Sequence, residues 1–233
     1  VRKVLSDQAD KQLDLGILFP PQVEVAVRRG AAAGELYPEE AALCGRFAPK
    51  RLREFAMGRL AARQVLARMG IEHFPLLKRP DETALWPEGI TGSITHTDGI
   101  CLVAAARAPI AALGIDAEIV SHVTAELWQQ IFTQREAALL HRLSARQRQR
   151  HAAAIFSAKE AFYKCQYVLT GEWLEFEDIE VAVTEENEAF LRFAVRPQRT
   201  LTLQQHFAPL WHGRAAFPAE DLVVTGVVLS RTL

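Results

Sequence analysis

A helical pattern followed by three strand-like runs occurs twice along this chain, and no other feature of the sequence limits its fold as much. Between Lys50 and Met69 there is no proline and Gly58 is the only glycine, while Leu52, Phe55, Ala62, Leu66 and Met69 advance in helical steps. The strand-like runs 91–96 and 100–106 flank Asp98-Gly99, a dipeptide suited to a tight hairpin because both residues tolerate positive φ. A third run, 110–115, follows Pro109. In the second half, helical patterns over 125–150 and 152–169 precede strand-like runs at 176–183, 189–195 and 222–229. This order predicts an α+β protein of two similar lobes, residues 1–115 and 116–233, each a small antiparallel sheet packed with a long helix. No long linker separates them, so the lobes should form one tightly packed unit joined near Ile115–Val120. The first fifty residues carry Pro20-Pro21, Gly30, Gly34 and Pro38 and short strands such as 23–27; stretches 1–45 and 197–220 give no functional reading.

Composition excludes several classes of function. The 233 residues are 49% hydrophobic, enough for a substantial core, and 27 Lys+Arg against 28 Asp+Glu leave no bulk basic surface for nucleic acid. The longest apolar stretch, 100–115, is interrupted by Arg107 and is shorter than the roughly 20 residues of a membrane-spanning helix. Val1–Asp10 has no apolar run with a cleavage site, so no signal peptide is expected. Cys44, Cys101 and Cys165 are far apart and odd in number, which suits reduced packing thiols in a cytoplasmic protein.

Four places depart from ordinary packing. Arg59 occupies the step that the apolar stripe of the first helix skips, with Arg51 and Arg63 nearby. It either snorkels or pairs with a carboxylate, or else the helix presents a face for an anion. Gly114-Ile115-Asp116-Ala117-Glu118 ends a strand in two carboxylates that share one face, about 6 to 7 Å apart at Cα. They make either a solvated strand edge or part of an oxygen-only site for Mg²⁺ or Mn²⁺. Glu160 and Lys164 are four apart on a helix and could be a simple surface ion pair. If Glu160 faces Asp116 and Glu118, however, three carboxylates around one point call for a divalent ion. Gly92-Ser93-Ile94-Thr95-His96-Thr97 lacks the Gly-x-Ser-x-Gly elbow; its hydroxyls and imidazole are either structural or donors to phosphate oxygens.

In order, Trp86-Pro87-x-Gly89 leading into Gly92-Ser93-Ile94-Thr95-His96, then Gly114-Ile115-Asp116-Ala117-Glu118, then Phe156-Ser157-Ala158-Lys159-Glu160-Ala161-x-Tyr163-Lys164 resemble the three motifs of 4′-phosphopantetheinyl transferases. The subgroup is that of enterobactin-synthetase component D and Sfp, which serves siderophore and nonribosomal-peptide synthesis. The resemblance runs from Arg51 to Asp178 and includes Trp173-Leu174-x-Phe176-Glu177-Asp178. It implies a pseudo-twofold monomer with coenzyme A, the substrate, in the cleft between the lobes. It further implies Asp116, Glu118 and Glu160 as ligands of Mg²⁺, with Mn²⁺ as the alternative. Arg51, Arg59 and Lys78 would hold the 3′-phosphate or pyrophosphate. Thr95, His96 and Asp116 would lie against coenzyme A, and Lys159 and Lys164 at the reacting pyrophosphate. Thr-His-Thr stands here where many members have Ser-His-Ser or Ser-His-Cys, which keeps the hydroxyl.

The implied reaction is attack by a carrier-protein serine on the phosphorus bearing the pantetheine arm, with release of 3′,5′-ADP. Catalysis then consists of in-line positioning and charge neutralisation by the metal, Lys159, Lys164 and His96, with Glu160 or a metal-bound water taking the serine proton. Arg135, Arg142, Arg146, Arg148 and Arg150 could steer an acidic apo carrier protein, or could simply be a solvated helix face. Two other readings use the same residues: a Mg²⁺-dependent hydrolase of a nucleotide-type pyrophosphate, and a non-enzymatic coenzyme A binder, which would leave the carboxylates unexplained.

Overall fold

The structure, a computed structural model, describes residues 15–30, 35–187, 189–202 and 211–230. Val1–Asp10 and Gly34, considered above, lie outside the described residues. The chain forms β1 (Val23–Arg29), α1 (Pro38–Ala42), α2 (Pro49–Arg68), β2 (Leu77–Lys78), β3 (Ala84–Leu85), β4 (Ile90–Thr97), β5 (Ile100–Arg107) and β6 (Ile110–Ile119). Then come α3 (Trp128–Ile131), α4 (Gln134–Arg142), α5 (Ala145–Thr170), β7 (Ile179–Glu186), β8 (Phe190–Pro197), β9 (Trp211–Ala219) and β10 (Leu222–Ser230). It is an α+β fold whose strand pairs are antiparallel, in sheets of order β1-β5-β4 and β6-β10-β9-β8-β7 with a separate β2-β3 hairpin.

Four layers follow from strand alternation. Val103 and Ala105 of β5 turn toward Ala61, Ala62 and Val65 of α2. Leu102, Ala104 and Ala106 point the other way, onto Leu113, Ile115 and Ala117 of β6 and Val224 of β10. The far face of the larger sheet, through Ala112, Val223 and Val227, packs on Ala158, Ala161 and Phe162 of α5. The Asp98-Gly99 turn forms as expected, with φ of 41° and 73° closing a hairpin in which Thr97 faces Ile100.

Two expectations are corrected. The run 110–115 does not complete the first sheet: β6 pairs with β10, and β1 takes the third place beside β5. Residues 115 and 116, where the two lobes were expected to join, both lie within β6. The helical patterns divide at Leu143, whose extended backbone (ψ 154°) separates α4 from α5, and α5 continues unbroken past His151 to Gly171 at φ 64°. Strand β9 lies in the stretch 197–220 that gave no reading. Among the described residues no helix is long and apolar enough to cross a membrane, and the three cysteines are free thiols.

Candidate active site

α2 brings Arg51, Glu54, Phe55, Gly58 and Arg59 to one wall of a 270 Å³ cleft; the β2-β3 hairpin, β4 and the later turns of α5 form the rest. Arg59 lies over the Phe55 ring at 3.8 Å and its Nε donates to the Leu76 carbonyl at 3.0 Å. Burial pushes its pKa down to about 10, against the pull of Glu40, so it stays charged at neutral pH. Arg51 Nη1 is 3.4 Å from His96 Nε2, and Glu54 Oε2 approaches the same nitrogen at 3.8 Å. Partial burial holds the His96 pKa below its usual value; Glu54 opposes this, and Arg51 and Lys164 add to it. Lys78 also lines the cleft and is paired with Glu82. Arg63 turns away, onto the Tyr37 ring and the buried Glu40 carboxylate at 3.2 Å.

Alternation along β4 divides its motif between two faces. His96 points to α2, whereas Ser93 and Thr95 point to β6. Ser93 Oγ accepts from the Ile115 N–H at 3.2 Å, and the Thr95 hydroxyl donates to Asp116 Oδ1 at 3.1 Å. Thr95 is therefore a buried support for Asp116 and not part of the cleft lining. Gly92 is required for space, because a Cβ there would stand 2.5 Å from the Trp86 indole that forms another part of the wall.

The carboxylates meet where β6 touches α5. Gly114 shares a face with Asp116 and Glu118, and a Cβ on it would lie 1.9 Å from the Ala161 carbonyl oxygen. The absent side chain is what lets α5 settle on β6 with Glu160 and Lys164 beside Asp116. Lys164 Nζ is 2.5 Å from Asp116 Oδ1. Burial, then Asp116, pushes the Glu118 carboxyl up to about 7, with Lys164 opposing and Glu160 adding to the rise. Glu160 is raised for the same reasons, burial first, with Lys164 opposing and Asp116 reinforcing. The three carboxylates thus feel one another, but among the described residues no group of three or more such side chains is already in ligating position around a point.

Lys159 goes elsewhere. It is 0% exposed, and its Nζ donates to Glu136 Oε2 at 2.7 Å, the Ile131 carbonyl at 2.7 Å and the Phe176 carbonyl at 2.8 Å. An ammonium has three donors and all are taken, so Lys159 does not serve the cleft as expected. Glu136 also accepts from the Val181 and Thr133 N–H groups at 2.7 and 2.8 Å. Sequence reasoning missed Glu136 and Glu54, although Thr133-x-x-Glu136 is a readable capping box and Glu54 sits one turn from Arg51. The arginine cluster also divides. Arg148 donates to the Leu140 and Leu143 carbonyls, Arg150 lies 3.6 Å over Phe217, Arg135 is 3.6 Å from Glu180, and Arg142 and Arg146 remain exposed. A larger cleft of 1170 Å³ opens between residues 15–25 and β7 to β10 and contains none of the expected site residues.

Two family models match the chain: the 4′-phosphopantetheinyl transferase N-terminal domain over residues 39–120 and the 4′-phosphopantetheinyl transferase superfamily over 112–224. The 4′-phosphopantetheinyl transferase PptT of Mycobacterium tuberculosis is 33% identical over 184 residues, 72% of this chain and 78% of PptT. The chain belongs to the 4′-phosphopantetheinyl transferase family. Svp of Streptomyces mobaraensis, another 4′-phosphopantetheinyl transferase, is 41% identical over 157 residues, which span 66% of this chain and 64% of Svp. Enterobactin synthase component D of Escherichia coli K12 is 33% identical over 172 residues, 67% of this chain and 78% of that protein. Every residue of the cleft wall and of the carboxylate group lies within the two family matches.

Proposed function

We propose that this chain transfers the 4′-phosphopantetheine arm of coenzyme A to a serine of apo carrier proteins, releasing 3′,5′-ADP. The observation that carries the reading is the junction of two opposite poles in one place. The cleft holds Arg51, Arg59, Lys78 and His96 on one side and Lys164 on the other, and Lys164 reaches directly to Asp116. A small polyanion fits the cationic wall, with its phosphates directed toward Lys164 and the carboxylates.

Asp116 is 2% exposed and its Oδ2 has no hydrogen-bond partner. An orphaned carboxylate oxygen beside two carboxylates with raised pKa values suits a hard divalent cation, held by Asp116, Glu118 and Glu160. Mg²⁺ bound there, or Mn²⁺, would offset negative charge on the pyrophosphate. Arg51 and Arg59 bind and orient the nucleotide end, and His96 donates to a phosphate oxygen. Lys164 neutralises the charge that develops on the 5′-phosphate of the departing 3′,5′-ADP. Glu160, beside the place where the cation and the reacting phosphate would meet, accepts the serine proton. The protein works as a cytoplasmic monomer with a pseudo-twofold relation between its two helix-covered sheets, and the carriers it serves present an acidic surface.

Incubation with coenzyme A, Mg²⁺ and an apo carrier domain should add one phosphopantetheine to the carrier, seen by intact mass. No added mass on any of several apo carriers would overturn the reading. Turnover of Glu160→Gln close to that of the wild type at saturating Mg²⁺ would remove the base role alone.

A further inference from the structure

Lys164 is paired with a buried carboxylate. Its Nζ lies 2.5 Å from Asp116 Oδ1 and 3.5 Å from Thr95 Oγ1. Thr95 donates to the same Oδ1, and Oδ2 of this buried carboxylate has no partner. Glu118 and Glu160 stand close enough to Asp116 to feel its charge, so one ammonium offsets three acids. The side chain is 29% exposed and lies in the cleft wall, so rotation about its flexible stem can carry Nζ from Asp116 into the cleft.

Building on the transferase reading above, we propose that Lys164 is an exchangeable counter-ion. It holds the cation's place at Asp116 in the ligand-free protein and passes to the coenzyme A pyrophosphate when the divalent cation enters. An ammonium and a divalent cation at one carboxylate repel each other, so cation binding without coenzyme A has to displace Lys164 from its best partner. The pyrophosphate supplies a new partner. Cation and coenzyme A therefore favour each other's binding, with part of the coupling carried by Lys164.

Binding of Mn²⁺ alone, followed by the electron paramagnetic resonance of the free ion, tests this without reference to turnover. In the absence of coenzyme A, Lys164→Gln and Lys164→Met should each bind Mn²⁺ about tenfold more tightly than the wild type, and Lys164→Arg should bind like the wild type. Equal or weaker binding by the Gln and Met variants overturns the exchange. Should those variants fail to fold, the wild type still decides: the ¹⁵Nζ ammonium signal of Lys164, assigned by its loss in Lys164→Arg, should be protected in the free protein. When Mg²⁺ and coenzyme A are added together that signal should shift, because the partner of Nζ changes from a carboxylate to a phosphate, and a signal left unshifted overturns the proposal. Carrier modification by the wild type, measured alongside, separates the two readings. Transfer without the Mn²⁺ effect defeats the exchange alone, and no transfer defeats the function itself.

Discussion

Lys159 and Glu160 are neighbours in sequence and leave α5 in different directions, one into a sealed ion pair and one toward Asp116. Removing one partner of a buried pair strands the other, so Lys159→Met should lower the unfolding free energy by about 3–5 kcal/mol, measured by urea denaturation. A lysine working at the pyrophosphate would give the reverse result, unchanged stability with weakened coenzyme A binding. Spacing alone left Asp116 and Glu118 readable as a strand edge and Glu160 and Lys164 as a surface ion pair; the resemblance to the family motifs grouped them. Neither separated Lys159 from Lys164, because the face of α5 that is sealed depends on where Glu136 and the Phe176 carbonyl lie, and both come from other elements. Glu118 makes a second prediction at this scale. Its folded pKa of about 7 lies above the usual 4.5, so the folded protein holds a proton that the unfolded chain has released. Between those limits the metal-free protein should lose stability as pH rises, modestly because Glu118 is only half-buried. Melting temperatures from pH 5 to 8 without divalent ions should fall less with rising pH in Glu118→Gln than in the wild type, the remaining dependence coming from Glu160 in the same sense and His96 in the opposite one.

Between elements, the contact that builds the site is α5 against β6 at Gly114. A methyl group at Gly114 meets a main-chain carbonyl at 1.9 Å and cannot be relieved by turning a side chain, so Gly114→Ala must lift α5. The expected cost is about 1–3 kcal/mol, together with loss of the Lys164–Asp116 pairing. Denaturation and Mg²⁺-dependent carrier modification should both report it, with activity falling further than stability accounts for. The helices and the hairpin at Asp98-Gly99 were readable because their signals are local: periodicity, caps and a turn dipeptide. The partner of β6 was not. Its odd positions from Leu113 to Ala117 and its even position Ala112 are all buried, so its own pattern does not say which sheet it joins. That is decided by β10, more than a hundred residues away.

Across the whole molecule, a balance of 27 basic against 28 acidic residues conceals a separation of charge. The cleft lining sets Arg51, Arg59, Lys78 and Lys164 against Glu54 and Glu82, β6 and α5 gather carboxylates, and Arg142 and Arg146 project into solvent near the start of α5. Arg146 lies 14 residues before Glu160 on one helix, about 21 Å along its axis at about 1.5 Å per residue. A folded partner of about 100 residues has a radius of gyration of about 13 Å, so a carrier with its serine at Glu160 extends as far as Arg146. These two arginines are then placed to orient an acidic carrier without touching its reacting group. Arg148 and Arg150 are already occupied with carbonyls and Phe217. Arg142→Glu with Arg146→Glu should accordingly raise the carrier KM about tenfold at low salt while leaving the coenzyme A KM and kcat unchanged. The difference should shrink as salt rises toward 0.5 M, where charges more than a few ångströms apart are screened. Steady-state kinetics at two ionic strengths would show both effects, and a carrier KM insensitive to the double reversal would place the docking surface on another face of the molecule.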